Sequence, residues 1–214
     1  MLRKVAYRRE LFACIALALL TRAAAAADAD PPGVFQAPVQ QPKKSVFVFG
    51  GQFTTQGLVA SLSPFAAHES NYIVGGSYQR DLQPLGNGWI FGGEIGLANR
   101  FGMGASGEVW AGLTFRNVGV VLLNTVRVAP GMTVGLSAIT NPVGIEAQRE
   151  RDRGGNARLL GYLGPELAIA FQQMPNLELV YRLHHRSGAG GTFGSMREGA
   201  NANVFGIRYR FDHL

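Results

Sequence analysis

The chain has a single cysteine, Cys14, and it sits in an amino-terminal segment laid out like an export leader. Arg3, Lys4, Arg8 and Arg9 precede an apolar run from Leu11 to Leu20, and a row of alanines ends at Ala27. Cleavage there would remove residues 1–27 with Cys14, which excludes disulfides and thiolate chemistry in the exported product. The run of about ten apolar residues is too short to cross a bilayer as a helix. It mostly follows Cys14, which argues against a lipoprotein cleavage box. Histidine is scarce too: His68, His184, His185 and His213 are all there are. They form no cluster with Cys or Asp, so neither a metal cage nor a cofactor is expected. The formal charge of +6 is mostly leader, where Arg3, Lys4, Arg8, Arg9 and Arg22 face Glu10. About +2 remains on the mature chain, which advertises no nucleic-acid groove. Apolar helical periodicity is also missing.

What is there is glycine, 29 of 214 residues, and many short alternating segments punctuated by turn signals. Residues 28–44, rich in Pro, Gln and Ala, read as a flexible periplasmic lead-in. Residues 45–214 read as one domain. Eight strands are expected at about 45–56, 71–82, 88–101, 106–117, 127–140, 157–173, 176–188 and 201–212. On the third, Trp89, Phe91, Ile95 and Leu97 share one face, and Gly92, Glu94, Gly96 and Arg100 the other. On the last, Phe205, Ile207, Tyr209 and Phe211 oppose Ala202, Gly206, Arg208 and Arg210.

Charged and very small residues on one face make sense if that face is enclosed. Glu94, Glu108, Glu166, Arg182, Arg208 and Arg210 would then pair inside a narrow barrel, and lipid would wet the outside. The fold expected is all-β: an eight-stranded antiparallel transmembrane β-barrel preceded by a cleavable signal peptide. The alternative is a soluble barrel of lipocalin type, since alternation does not say which face is wet. Long connections after strands one, five and seven, and short ones at 83–87 and 173–175, fit external loops and periplasmic turns.

Within Leu177–Ser187, alternation sets Leu177, Leu179, Tyr181, Leu183, His185 and Ser187 on the lipid side, with Glu178, Arg182 and Arg186 inward. An imidazole two residues from a hydroxyl on one strand face is the minimal pair for nucleophilic ester cleavage. Interfacial residues bonded to water or loop backbone would show the same spacing. His184 points inward by the same rule. Two further signals are set aside. Gly102–Gly107 fits G-x-G-x-x-G, but a strand follows it and not a helix, so it reads as a hairpin turn. Glu146–Arg153 reads as a solvated loop of mixed charge.

The run Leu183-His184-His185-Arg186-Ser187-Gly188-Ala189-Gly190, a loop, Gly199-Ala200-Asn201 and a final strand ending Tyr209-Arg210-Phe211 resemble the end of the lipid A 3-O-deacylases of the PagL type, the acyloxyacyl hydrolase family of outer-membrane β-barrels. The family signature is His-x-Ser-Asn-Ala-Gly, followed about a dozen residues later by an acid entering the last strand. The likeness implies an enzyme of the Gram-negative outer membrane that removes an ester-linked acyl chain from lipid A of lipopolysaccharide. It makes Ser187 the nucleophile and His185 its base. Insertion would use the barrel assembly machinery. Gly188 stands where the family has asparagine, so oxyanion donation must come from backbone or another side chain. Asn201 stands where the family has the acid; it or Glu198 would orient the imidazole. Arg149, Arg151, Arg153 and Arg197 are candidates for gripping lipid A phosphates. The rival reading is a structural or adhesion barrel of the same fold without the chemistry.

Overall fold

In the computed structural model, residues 41–63 and 65–213 are described; the expected leader and nearly all of the lead-in lie outside the described residues. Nine antiparallel strands follow one another: β1 (Lys44–Thr54), β2 (His68–Gly86), β3 (Trp89–Phe101), β4 (Ser106–Asn117), β5 (Val120–Leu122), β6 (Val126–Ile139), β7 (Leu159–Phe171), β8 (Leu177–Ser187) and β9 (Asn201–Phe211). β1 pairs with both β2 and β9, and β4 pairs with β6, so eight long strands close into a barrel with no free edge. The short β5 pairs with β6. It lies in the connection after β4, which the sequence reading left without structure.

Side chains alternate as the pleat requires. Val48, Ile95, Leu97, Val109, Leu113 and Ile207 are exposed on the outer wall. Phe47, Phe49, Trp110 and Tyr162 fill the lumen among buried arginines, so the barrel holds a packed core where a pore would otherwise run. Gly96 shows why small residues alternate with large ones here. A Cβ at Gly96 would stand 2.1 Å from the Trp110 ring.

The lumen carries a chain of ion pairs from one end to the other. Arg182 bonds Glu94 at 2.7 Å and Glu166 at 2.6 Å; Arg208 joins Glu166 at 2.7 Å to Glu178 at 3.2 Å. Arg210 and Arg127 close on Glu178 at 2.7 and 2.8 Å, and Arg116 closes on Asp81. Guanidinium groups of Arg182 and Arg208 also lie 4.9 and 5.2 Å from the Phe47 ring centre. The expected ion-pair lumen is present, and larger than the six residues named from sequence.

One expectation is corrected. Glu146–Arg153 is not a solvated loop: Gly144–Arg153 forms a helix, α2, after a single turn, α1 (Leu58–Ser61), in the preceding long loop. Its amino end has no side-chain cap of its own. Glu69, from β2, accepts the Ile145 N–H at 2.8 Å and supplies the negative charge that a helix start favours. Gly154, with φ of 62°, ends the helix in the left-handed region, and its N–H returns to the Arg151 carbonyl. Glu146 is fully buried beneath the helix and pairs with Arg100 at 2.7 Å and with Arg186. The helix thus caps the long-loop end of the barrel, fastened by one carboxylate shared between two guanidiniums.

Replacing Glu146 with glutamine should cost about 3–5 kcal/mol of unfolding free energy, because two buried guanidiniums lose their shared partner. Glu198→Gln, at a half-exposed pair with Arg149 of 3.4 Å, should cost about 0–1 kcal/mol. Urea titration of the refolded barrel in detergent measures both; equal losses would refute the anchoring role of Glu146.

Candidate active site

β8 is held from inside. His184 places Nε2 2.8 Å from Glu108 Oε1 and Nδ1 3.2 Å from the Tyr162 hydroxyl. Arg186 donates to Ser137 Oγ at 2.9 Å, to the Ala157 carbonyl at 2.9 Å, and to Glu146. With residues 184 and 186 tied into the lumen, the pleat turns His185 and Ser187 onto the outer wall. Across the sheet His185 lies opposite Asn201 on one side and Leu163 on the other, while Ser187 lies opposite Gly161.

The imidazole is held in a defined state. His185 Nδ1 lies 2.5 Å from Asn201 Oδ1, and Asn201 Nδ2 donates to the Gln56 carbonyl at 2.8 Å. Because that carbonyl can only accept, the Asn201 amide is fixed with its oxygen toward His185, so Nδ1 carries the hydrogen and Nε2 a lone pair. Nε2 has no hydrogen-bond partner among the described residues. His185 is 5% exposed, whereas Ser187 is half-buried and open at the rim. No hydrogen bond joins the two side chains among the described residues. Their Cα atoms, two residues apart on one strand face, are roughly 6–7 Å apart, which side-chain rotation can bridge.

Glu198, the alternative partner for the imidazole, bonds Arg149 at the rim. Arg149 itself is turned toward the loops: it donates to the carbonyls of Gly199 at 2.8 Å and Thr55 at 3.1 Å. Arg151, Arg153 and Arg197 are exposed on the same end of the molecule. The Gly188 N–H is used, donating to the Arg197 carbonyl at 3.2 Å. The next two amides, at Ala189 (φ 48°) and Gly190 (φ 75°), have no partner among the described residues and stand just past Ser187. Gly188 (φ −79°, ψ 10°) followed by the left-handed Ala189 is the right-then-left backbone sequence that gathers successive N–H groups into an anion-receiving concavity. Phe193 packs over Gly161, next to Ser187, its ring edge 3.6 Å from where a Cβ would stand.

Sequence reasoning missed Gln56, which holds Asn201 through a backbone carbonyl; no side-chain chemistry signals such a role. It also missed a groove of about 460 Å³ on the outer wall, lined by Leu167, Ile169, Leu179, Tyr181, Phe205 and Ile207. The groove ends on β8 at Tyr181, four residues before His185 on the same strand face.

Comparison with solved structures finds the same barrel elsewhere. The outer membrane enzyme PagL matches with a TM-score of 0.51 and 14% identity, over 78% of this chain and 99% of that chain. Neisserial surface protein A matches at 0.49 and 11%, over 78% and 97%. The N-terminal β-barrel domain of Pseudomonas aeruginosa OprF matches at 0.45 and 12%, over 80% and 98%. No family model and no curated protein matches the chain. The chain has the fold of an outer-membrane β-barrel. That fold supports an outer-membrane location, and the apolar residues exposed on the outer wall fit it. At such identities the likeness concerns fold and leaves activity open.

Nitrogen chemical shifts of labelled histidine in micelles test the site geometry. His185 should appear as the Nδ1–H tautomer, and Asn201→Ala should convert it to a mixture. A wild-type spectrum dominated by Nε2–H would overturn the assignment.

Proposed function

We propose that this barrel is an outer-membrane serine esterase that removes an ester-linked acyl chain from lipid A of lipopolysaccharide. The observation that carries the reading is the imidazole held by Asn201 with its free nitrogen uncommitted, two residues from a hydroxyl on a lipid-facing wall. In the proposed reaction His185 Nε2 takes the Ser187 proton as the oxygen attacks the acyl carbonyl. The oxyanion is received by the Ala189 and Gly190 amides. Collapse breaks the ester bond to the sugar, whose oxygen takes the proton from His185 Nε2. Water, deprotonated by the same imidazole, then attacks the acyl-enzyme, and Ser187 Oγ takes that proton back as its bond to the fatty acid breaks. Asn201 keeps the tautomer, and Arg151, Arg153 and Arg197 attract lipid A phosphates from above. The apolar groove between β7 and β9 receives the departing chain.

A second reading, a structural or adhesion barrel that has the fold without the chemistry, is favoured by two observations. Gly188 replaces the family's asparagine, and Ser187 is not bonded to His185.

Mass spectrometry of lipid A from cells with and without the protein separates the two readings. Expression should remove the mass of one hydroxyacyl chain. Ser187→Ala or His185→Ala should reduce that loss on the order of 10³-fold or more, and Asn201→Ala by a smaller factor. Lipid A unchanged by the wild-type protein would favour the scaffold.

A further inference from the structure

Around the loop end, the outer wall changes character within a few strands. On β2 and β3 the membrane-facing row ends in Tyr72 and Phe101, stacked with ring centres 5.8 Å apart, as expected where a barrel meets an interface. Beside His185 the two uppermost rows carry several polar residues. His185, Asn201, Thr54 and His68 lie opposite one another across β8, β9, β1 and β2, and Leu183, Asn203, Gln52 and Tyr72 make the next row down. Amides directed at hydrocarbon are costly unless they find partners.

Most of that polarity is satisfied within the protein. Thr54 Oγ1 bonds Ser61 Oγ at 2.6 Å, and Asn201 is committed to His185 and Gln56. Asn203 Oδ1 accepts from the Tyr181 hydroxyl at 2.9 Å, which turns its amide nitrogen toward His68 Nε2, 3.5 Å away. That leaves Nδ1–H of the exposed His68 without a partner among the described residues. Gln52 Nε2 donates to the Glu69 carbonyl at 2.9 Å, and its Oε1 has no partner among the described residues. One donor, on His68, and one acceptor, on Gln52, therefore stay open on the wall, three and two strands across from Ser187. Neither a guanidinium nor an ammonium lies in these two rows.

We propose that Gln52, His68 and Asn203 form a ledge that binds the uncharged hydroxyl and amide groups of an acylated sugar whose ester reaches Ser187. The proposal rests on the esterase reading for its choice of ligand. A paired donor and acceptor with no cation match sugar hydroxyls and an N-acyl amide, and do not match phosphate. The ledge spans β9, β1 and β2, whereas the apolar groove spans β7, β8 and β9. A glycolipid seated across both would present its ester at the boundary, where His185 and Ser187 stand. The ledge selects for sugar; the groove accepts any acyl chain.

Binding to Ser187→Ala protein tests this without turnover. Lipid A and phosphatidylglycerol are titrated separately, as fluorescent derivatives in detergent micelles, against Ser187→Ala alone and with Gln52→Ala, His68→Ala and Asn203→Ala added. Lipid A affinity should fall about tenfold with all three changes, the scale of a few net hydrogen bonds, and phosphatidylglycerol affinity should stay within twofold. His68→Ala alone, at an exposed side chain, should show a smaller loss of the same selectivity should the triple variant fail to fold. Unchanged lipid A affinity, or equal loss for both lipids, would overturn the ledge. Loss of lipid A affinity in the variants, with lipid A left intact by the wild-type protein, would retain the ledge and remove the esterase reading.

Discussion

Buried guanidinium–carboxylate pairing is the constraint from which the rest of this molecule follows. A barrel with a greasy exterior has only its lumen for charge, and here seven arginines meet six carboxylates within it. Each guanidinium taken from water is costly unless its partners are in place, so the network specifies strand register as strongly as the apolar wall does. It also reaches the site. Arg186 lies between His185 and Ser187 in sequence, and its anchorage on Ser137, Ala157 and Glu146 fixes the backbone from which both project. A charge cluster facing the interior thereby sets the geometry of a pair on the exterior.

The strands were legible because the alternation is clean. Glu94, Gly96 and Arg100 against Ile95 and Leu97 leave only one way to fold β3 with its charges enclosed. His185, Ser187 and Asn201 were legible for the same reason, since parity places each on the outer face and antiparallel pairing sets Asn201 beside His185. α2 was not. Its residues have no apolar face, and the helix exists because Glu69 meets its start, Glu146 is drawn into the lumen and Gly154 permits its end. The helix signal in the sequence is confined to its ends, Glu146 in the first turn and Gly154 after Arg151 and Arg153. The ledge was illegible for another reason. Gln52 pairs with Tyr72 and Thr54 with His68, so an irregularity in β2 brings His68 beside Asn203, and no periodicity in one strand predicts a bulge in its partner.

The two neighbouring histidines show how far position outweighs residue type. His184 spends both ring nitrogens on Glu108 and Tyr162 and is sealed among Trp110, Phe49 and Tyr162, with ring centres at 5.1, 6.0 and 4.8 Å. It is a structural member of the lumen network. His185, one residue on, spends one nitrogen and keeps the other. One step along a pleated strand separates a core residue from a candidate base.

Asn201 in place of an acid alters the electrostatics of such a site and leaves its geometry unchanged. A carboxylate at that position would orient the imidazole and stabilise the imidazolium that forms when Ser187 gives up its proton. An amide supplies the first effect fully and the second only through its dipole. The Gln56 carbonyl is what makes the amide sufficient for orientation, because it removes the flipped alternative in which Nδ2 would face the ring. A carboxylate there would face that carbonyl oxygen at hydrogen-bond distance without a proton between them. The loop carrying Gln56 and the asparagine therefore suit one another, and placing an acid at position 201 would require that loop to move. Glu198, already committed to Arg149 at the rim, is the nearest carboxylate in sequence and lies in the same loop network, where it steadies the segment that carries Gln56.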